Sequence, residues 1–239
     1  MAYALTQSLN LVKASSQYTS RTDTYGLTSW QALTEECWVK PASQPTAGGT
    51  IEISTIGWAN IGVRLRYWDN AGATTLSVFR HAWFTDTTFL NYATTLSTGT
   101  YYHIAYSKDA SGNVVLYING TSVASGNVGS GTGTGVSASS TVGAGYNNGT
   151  LGQFPWDGNI SLHRVWSVVR TQAEISANMC NVFGTATTNM RAEHSFDNVY
   201  TDSSGNAYTL TSSGTPTFVS SVPSTCSPIT FIPRTTFVV

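Results

Sequence analysis

Short runs of alternating apolar and polar residues, broken by turns, dominate the chain. Ile61-Gly62-Val63-Arg64-Leu65-Arg66-Tyr67-Trp68 alternates with a period of two. Successive strand side chains point to opposite faces, so Ile61, Val63, Leu65 and Tyr67 share one face and Arg64, Arg66 and Trp68 the other. Asp69-Asn70-Ala71-Gly72 then turns the chain into a strand near 75–84. A further run at 101–107 turns at Asp109-Ala110-Ser111-Gly112 into Val114-Val115-Leu116-Tyr117-Ile118. Asn119-Gly120 follows, a dipeptide that tolerates the positive φ angles of a two-residue hairpin, and 121–125 is the return strand. These four or five strands are expected to form one antiparallel meander.

Residues 126–141 are almost all Gly, Ser and Thr, which predicts a long surface loop. A strand near 141–144, a loop to 158 and a strong strand at 159–167 come next. The one convincing helix is short. Thr171 suits the N-cap, Glu174 stands three residues on as in a capping box, and Ile175 and Met179 are four apart. Further strands are expected at 191–196 and 208–210. Prolines at 216, 223, 228 and 233 favour extended, edge-like chain. About a dozen short strands with one helical turn predict an all-β protein, a two-sheet antiparallel sandwich. The expected division is a domain over 1–222 and an extended tail over 223–239.

Composition narrows the functional classes. Only 10% of residues are charged, while 36 Thr and 29 Ser supply most of the polar surface. Eleven basic and twelve acidic residues leave a net charge of -1, and only three of the basic residues are Lys. Charges so few and scattered build no phosphate-binding patch, so nucleic acid is not an expected partner. No apolar run approaches a membrane span, and no membrane insertion is expected. Aromatics at 12% can fill a large core. Residues 1–7 lack a basic start and an apolar stretch, so no secretory signal is expected. Cys37, Cys180 and Cys226 fit neither a disulfide framework nor a metal site. Cys37 is expected to be a buried small hydrophobe. Whether Cys180 and Cys226 pair is left open.

Five segments, in order, carry a family resemblance. They are Leu33-Thr34-Glu35-Glu36-Cys37-Trp38-Val39-Lys40-Pro41; Tyr101-Tyr102-His103-Ile104-Ala105; Val115-Leu116-Tyr117-Ile118-Asn119-Gly120; the set Val142-Gly143-Ala144, Trp156-Asp157-Gly158-Asn159-Ile160 and Arg164-Val165-Trp166; and His194-Ser195-Phe196-Asp197 with the turn at 202–206. Together they resemble the laminin-G-like, concanavalin-A-like jelly roll over roughly 8–219. The resemblance implies a lectin-like sandwich. It also implies calcium in members that carry carboxylates at the first strand and after Gly-x-Ile. Those positions here are Ser15-Ser16-Gln17-Tyr18 and Ser161-Leu162, so no metal is expected. Glu35 stands where the family is usually apolar. It is expected to lie at a strand mouth or to meet another chain.

Catalytic motifs are absent. Glucanases of this fold carry Glu-x-Asp-x-x-Glu, and none of Glu35, Glu36, Glu52, Glu174 or Glu193 begins one. The four histidines stand at no metal-binding spacing, and no cofactor motif occurs. His103 is expected to be structural. Aromatic residues near strand ends and loops, Trp58, Trp68, Trp83 and Trp156, are candidates for stacking on sugar rings or for filling the core. Arg64, Arg66 and Trp68 share one strand face and are the candidate protein contact. The apolar tail, with Phe231, Ile232, Phe237 and Val238, is a candidate intersubunit strand. The expected function is a non-catalytic structural or decoration protein of a virus particle, with other virion proteins or copies of itself as partners. The alternative is a carbohydrate-binding module for adhesion or receptor recognition, located outside the cell.

Overall fold

The computed structural model describes residues 5–27, 30–57, 62–82, 85–130, 139–147 and 150–226. The strands are β1 (Ser8–Leu11), β2 (Tyr18–Arg21), β3 (Leu33–Pro41), β4 (Thr50–Ile56), β5 (Gly62–Asn70), β6 (Ala73–Ala82), β7 (Thr85–Ala93), β8 (Tyr102–Lys108), β9 (Asn113–Ile118), β10 (Thr121–Asn127), β11 (Ser140–Val142), β12 (Gly145–Asn147), β13 (Thr150–Gln153) and β14 (Gly158–Trp166). The helix α1 (Gln172–Asn178) follows, then β15 (Met190–His194), β16 (Thr211–Ser213) and β17 (Thr217–Val219).

Two antiparallel sheets form the sandwich. One runs β10-β9-β8-β3-β14-β1-β17, with β15 also paired to β14; the other runs β16-β2-β11-β4-β5-β6-β7. Their inner faces meet in one apolar core. Cys37, Val39, Ile104, Leu116 and Ile160 from the first sheet join Ile51, Ile53, Val63, Leu65, Tyr67, Leu76 and Val78 from the second. The alternation expected in β5 holds: Val63, Leu65 and Tyr67 face inward.

Turn chemistry behaves as expected. Ala71 and Gly72 take φ of 54° and 91° between β5 and β6, and Asn119 and Gly120 take 51° and 75° between β9 and β10. Both are tight two-residue hairpins, with Asn70 opposite Ala73 and Ile118 opposite Thr121. The helix has its capping box: the Glu174 backbone N–H donates to the Thr171 hydroxyl, and the Glu174 carboxylate accepts from the Thr171 backbone.

Four expectations are corrected. The meander is not one sheet: β5-β6-β7 and β8-β9-β10 belong to different sheets. The chain crosses between them at 94–101, where Leu96 is buried and donates to the Tyr67 hydroxyl. β7 was not expected as a strand, because Phe89, Leu90 and Tyr92 place large apolar groups on both faces and blur the alternation. The loop of 126–141 is shorter than expected at both ends, since β10 continues to Asn127 and β11 begins at Ser140. Residues 131–138 within it lie outside the described residues. The expected strand at 208–210 is irregular chain leading into β16.

A bulge in β14 decides what its second half presents. Register shifts between Ser161 and Arg164, and Leu162 takes φ of 47°. The extra residue sends Leu162 to the outer cluster beside Trp38 and returns Val165 to the core. Arg164 is left on the outer face opposite Glu36.

Candidate functional site

The outer face of the second sheet carries the best-built surface group. Register aligns Arg66 with Glu52 on one side and with Ser77 on the other, and Ser77 with Asn91. Phe79 stands between Arg64 and Phe89 in the same way. Glu52, Arg64, Arg66, Trp68, Ser77, Phe79, Phe89 and Asn91 therefore share one face.

Its centre is closed. Arg64 is 2% and Arg66 7% exposed, and Glu52 is fully buried. Arg64, Arg66 and Trp68 do share one face, but the two arginines are buried inner supports, and Trp68 is the member of the candidate contact that reaches solvent. Glu52 Oε1 accepts from Arg64 Nη1 at 3.2 Å and from Arg66 Nη2 at 3.1 Å, and Oε2 accepts from the Thr55 hydroxyl at 3.1 Å. Carboxylate and guanidinium each offset the other's desolvation, which makes burial of all three tolerable. The β12–β13 hairpin packs on this triad. A Cβ at Gly145 would fall 2.2 Å from the Glu52 carboxylate, so the approach requires glycine.

The margin is open. Trp68 is half-buried, Phe89 is 37% exposed and Asn91 is exposed. The Trp68 and Phe89 rings are inclined by 29°, with centroids 6.3 Å apart, and Phe89 packs on Phe79 at 4.9 Å. Arg66 supports the cluster from beneath, its guanidinium 4.2 Å from the Phe79 centroid and 5.9 Å from that of Trp68. Trp68 Nε1 donates to Ser77 Oγ at 2.6 Å, and Ser77 Oγ donates to Asn91 Oδ1 at 2.6 Å. The indole is therefore fixed in orientation, with a polar amide beside it.

Of the other candidates, Trp156 is wholly buried in the core. Trp58, Trp83, Phe231, Ile232, Phe237 and Val238 lie outside the described residues. Phe89, Asn91, Phe79 and Glu52 were missed in the sequence because β7 was missed and the strand register was unknown.

Glu35 is neither at a strand mouth nor facing another chain. It is 1% exposed in the core, and its Oε1 lies 2.8 Å from His163 Nε2. His163 Nδ1 faces His194 Nδ1 at 3.4 Å, and His194 Nε2 donates to the Tyr208 carbonyl at 2.8 Å. Burial, then the neighbouring His163, push His194 down to about 3. His103 is fully buried beside Glu36, as a structural residue should be. Cys37 is a buried free thiol, and Cys180 and Cys226 form a disulfide.

The residues do not fit the calcium that the fold family implies. Where family members carry carboxylates, this chain has hydroxyl, amide and apolar groups. Among the described residues no group of three His, Cys, Asp or Glu is placed to hold a metal.

Residues 13–176 match the model of the Concanavalin A-like lectin/glucanases superfamily. The match covers more than half of the chain, and the chain belongs to this family. No curated protein matches its sequence. A proposed carbohydrate binding protein from Bacteroides ovatus ATCC 8483 is similar, with a TM-score of 0.67 and 22% identity over 91% of this chain and 60% of that one. This chain thus spans 60% of the length of that protein. Tailspike protein 2 of Escherichia coli O157:H7 bacteriophage CAB120 matches with a TM-score of 0.55 and 15% identity, over 83% of this chain and 30% of that one. The CBM40 domain of Ruminococcus gnavus IT-sialidase, bound to alpha2,3 sialyllactose, matches with a TM-score of 0.50 and 14% identity, over 73% and 98%. At these identities the likeness shows the jelly-roll fold.

Proposed function

We propose that the chain is a non-catalytic glycan-binding module that stacks a sugar ring on the Trp68–Phe89 face. A pyranose offers a C–H face to an aromatic ring and hydroxyls at its edge. Trp68 and Phe89 supply the apolar wall, and Asn91 supplies the polar rim. The observation that carries the reading is the orientation of Trp68, held by the Ser77–Asn91 relay while the ring remains half-exposed. Binding then costs little side-chain ordering. The sialyllactose bound to the Ruminococcus domain, and the proposed carbohydrate binding of the Bacteroides protein, support the same reading. So does the state of the glutamates: four are buried with partners, and Glu174 serves the helix cap.

A glycan array probed with the natural chain, Trp68→Ala and Phe89→Ala tests it. The natural chain should give hits that both variants lose. An array without hits, or hits indifferent to both substitutions, contradicts the reading.

The similarity to a phage tailspike favours a second, compatible reading. In it the chain is a structural component of a virus particle, a surface module contacting other virion proteins or copies of itself, with its tail adding a strand to a neighbour. The Cys180–Cys226 disulfide suits the outside of a released particle or of a cell, because such bonds persist in oxidising surroundings. Deleting residues 228–239 should reduce self-association in light scattering; an unchanged assembly state removes the role given to the tail.

A further inference from the structure

The outer side of the first sheet holds a second opening, remote in sequence from Trp68 and built on β3. Its volume is about 540 Å³, within the range of small-molecule sites. Trp38, Tyr101 and Met179 give it apolar walls, and Lys40, Asn119 and Ser221 give it polar ones. Among the described residues Lys40 is the one basic group that lines it, and no carboxylate does.

The walls are fixed by specific bonds. Trp38 is 3% exposed, and its Nε1 donates to the Met179 carbonyl at 2.7 Å. The Tyr101 hydroxyl donates to the Ser221 carbonyl at 2.6 Å and accepts from Ser8 at 2.9 Å. The Cys180–Cys226 disulfide ties the Met179 side to the 221–225 side. Lys40 Nζ donates to Ser221 Oγ at 2.6 Å and lies 5.1 Å from the Tyr101 ring centroid. An ammonium has three donors, and the Ser221 bond engages one of them.

We propose that this cleft binds a small carboxylate-bearing molecule with a flat apolar body. The carboxylate would accept from Lys40, a charge-assisted bond stronger than the one to a neutral hydroxyl. The apolar body would lie along Tyr101 and Met179. Among the described residues Lys40 has no carboxylate partner, and a cation placed so over apolar walls discriminates against neutral and cationic analogues. The proposal is independent of glycan binding at Trp68.

Isothermal titration of the full chain with phenyl β-D-glucuronide and phenyl β-D-glucoside tests it, because the two probes differ in the carboxylate. The glucuronide should bind about tenfold more tightly. Lys40→Met should abolish that preference, Lys40→Arg should keep most of it, and Trp68→Ala should leave it intact. Replacing both Cys180 and Cys226 by Ser should weaken glucuronide binding severalfold. Equal affinities, no glucuronide binding up to about 10 mM, or a preference that survives Lys40→Met would overturn the proposal. Loss in Lys40→Met together with Lys40→Arg, both folded by circular dichroism, would also count against a charge-based site.

Discussion

Each sheet buries one glutamate between two arginines on its outer face, and the two groups are finished in opposite ways. Glu52 with Arg64 and Arg66 forms a pedestal, closed at its centre and bordered by the partly exposed Trp68 and Phe89. Glu36 forms a bolt. Its Oε1 accepts from Trp166 Nε1 at 2.8 Å and Arg170 Nη1 at 3.0 Å, with Arg164 Nε at 3.2 Å, while His103 lies 3.3 Å from Oε2. The arginines then reach the end of α1: Arg164 donates to the carbonyls of Asn178 and Asn181, and Arg170 to that of Glu174. One group holds a helix down; the other holds aromatic rings up. A buried ion cluster is therefore not itself a sign of function. What it supports, and whether that reaches solvent, distinguishes the two.

The largest effect should come from unbolting the helix. Glu36→Ala leaves two guanidiniums and an imidazole buried without their carboxylate, and should cost about 3–5 kcal/mol in urea unfolding. A loss under about 1 kcal/mol would mean the cluster is more hydrated than its burial indicates.

Acid should act on the bolt next. Burial alone would raise Glu36, but Arg164, His103 and Arg170 outweigh it and hold the carboxyl at about 2, against 4.5 unfolded. Its stabilisation is complete above 4.5 and is lost as pH falls toward 2. His194, neutral in the core at about 3 against 6.5 unfolded, costs stability as pH falls from 6.5. Thermal melts should therefore weaken first below pH 6.5 and more steeply below 4.5, each group acting on the order of 3 kcal/mol. A melting temperature that is flat from pH 7 to 4 would contradict the His194 part.

On the pedestal, Glu52→Gln keeps an acceptor and should cost less, about 2–3 kcal/mol. It should also weaken any glycan bound at Trp68, whereas Glu36→Gln should not; chemical denaturation and glycan titration of both variants separate the two roles. Smallest in stability is Trp68→Ala, at about 1 kcal/mol for a half-buried ring, yet it should abolish glycan binding.

Much of the fold was legible because it is written locally. The β5 alternation, the Asn119-Gly120 hairpin and the Thr171–Glu174 cap each need only neighbouring residues. The site was half legible. Arg64, Arg66 and Trp68 do share a face, but their depth depends on the β12–β13 hairpin and on Phe79, which sequence spacing does not place. The β14 bulge was hidden for the same reason. A one-residue slip is invisible until the partner strand supplies register, and here it decides that Arg164 meets Glu36. Glu35 misled because its partner, His163, stands 128 residues away.

The most direct measurement is a crystal structure of the chain with the strongest array ligand. The account predicts a sugar ring stacked on Trp68 beside Phe89, with a hydroxyl hydrogen-bonded to Asn91. A sugar bound elsewhere, with the Trp68 face empty, would contradict it.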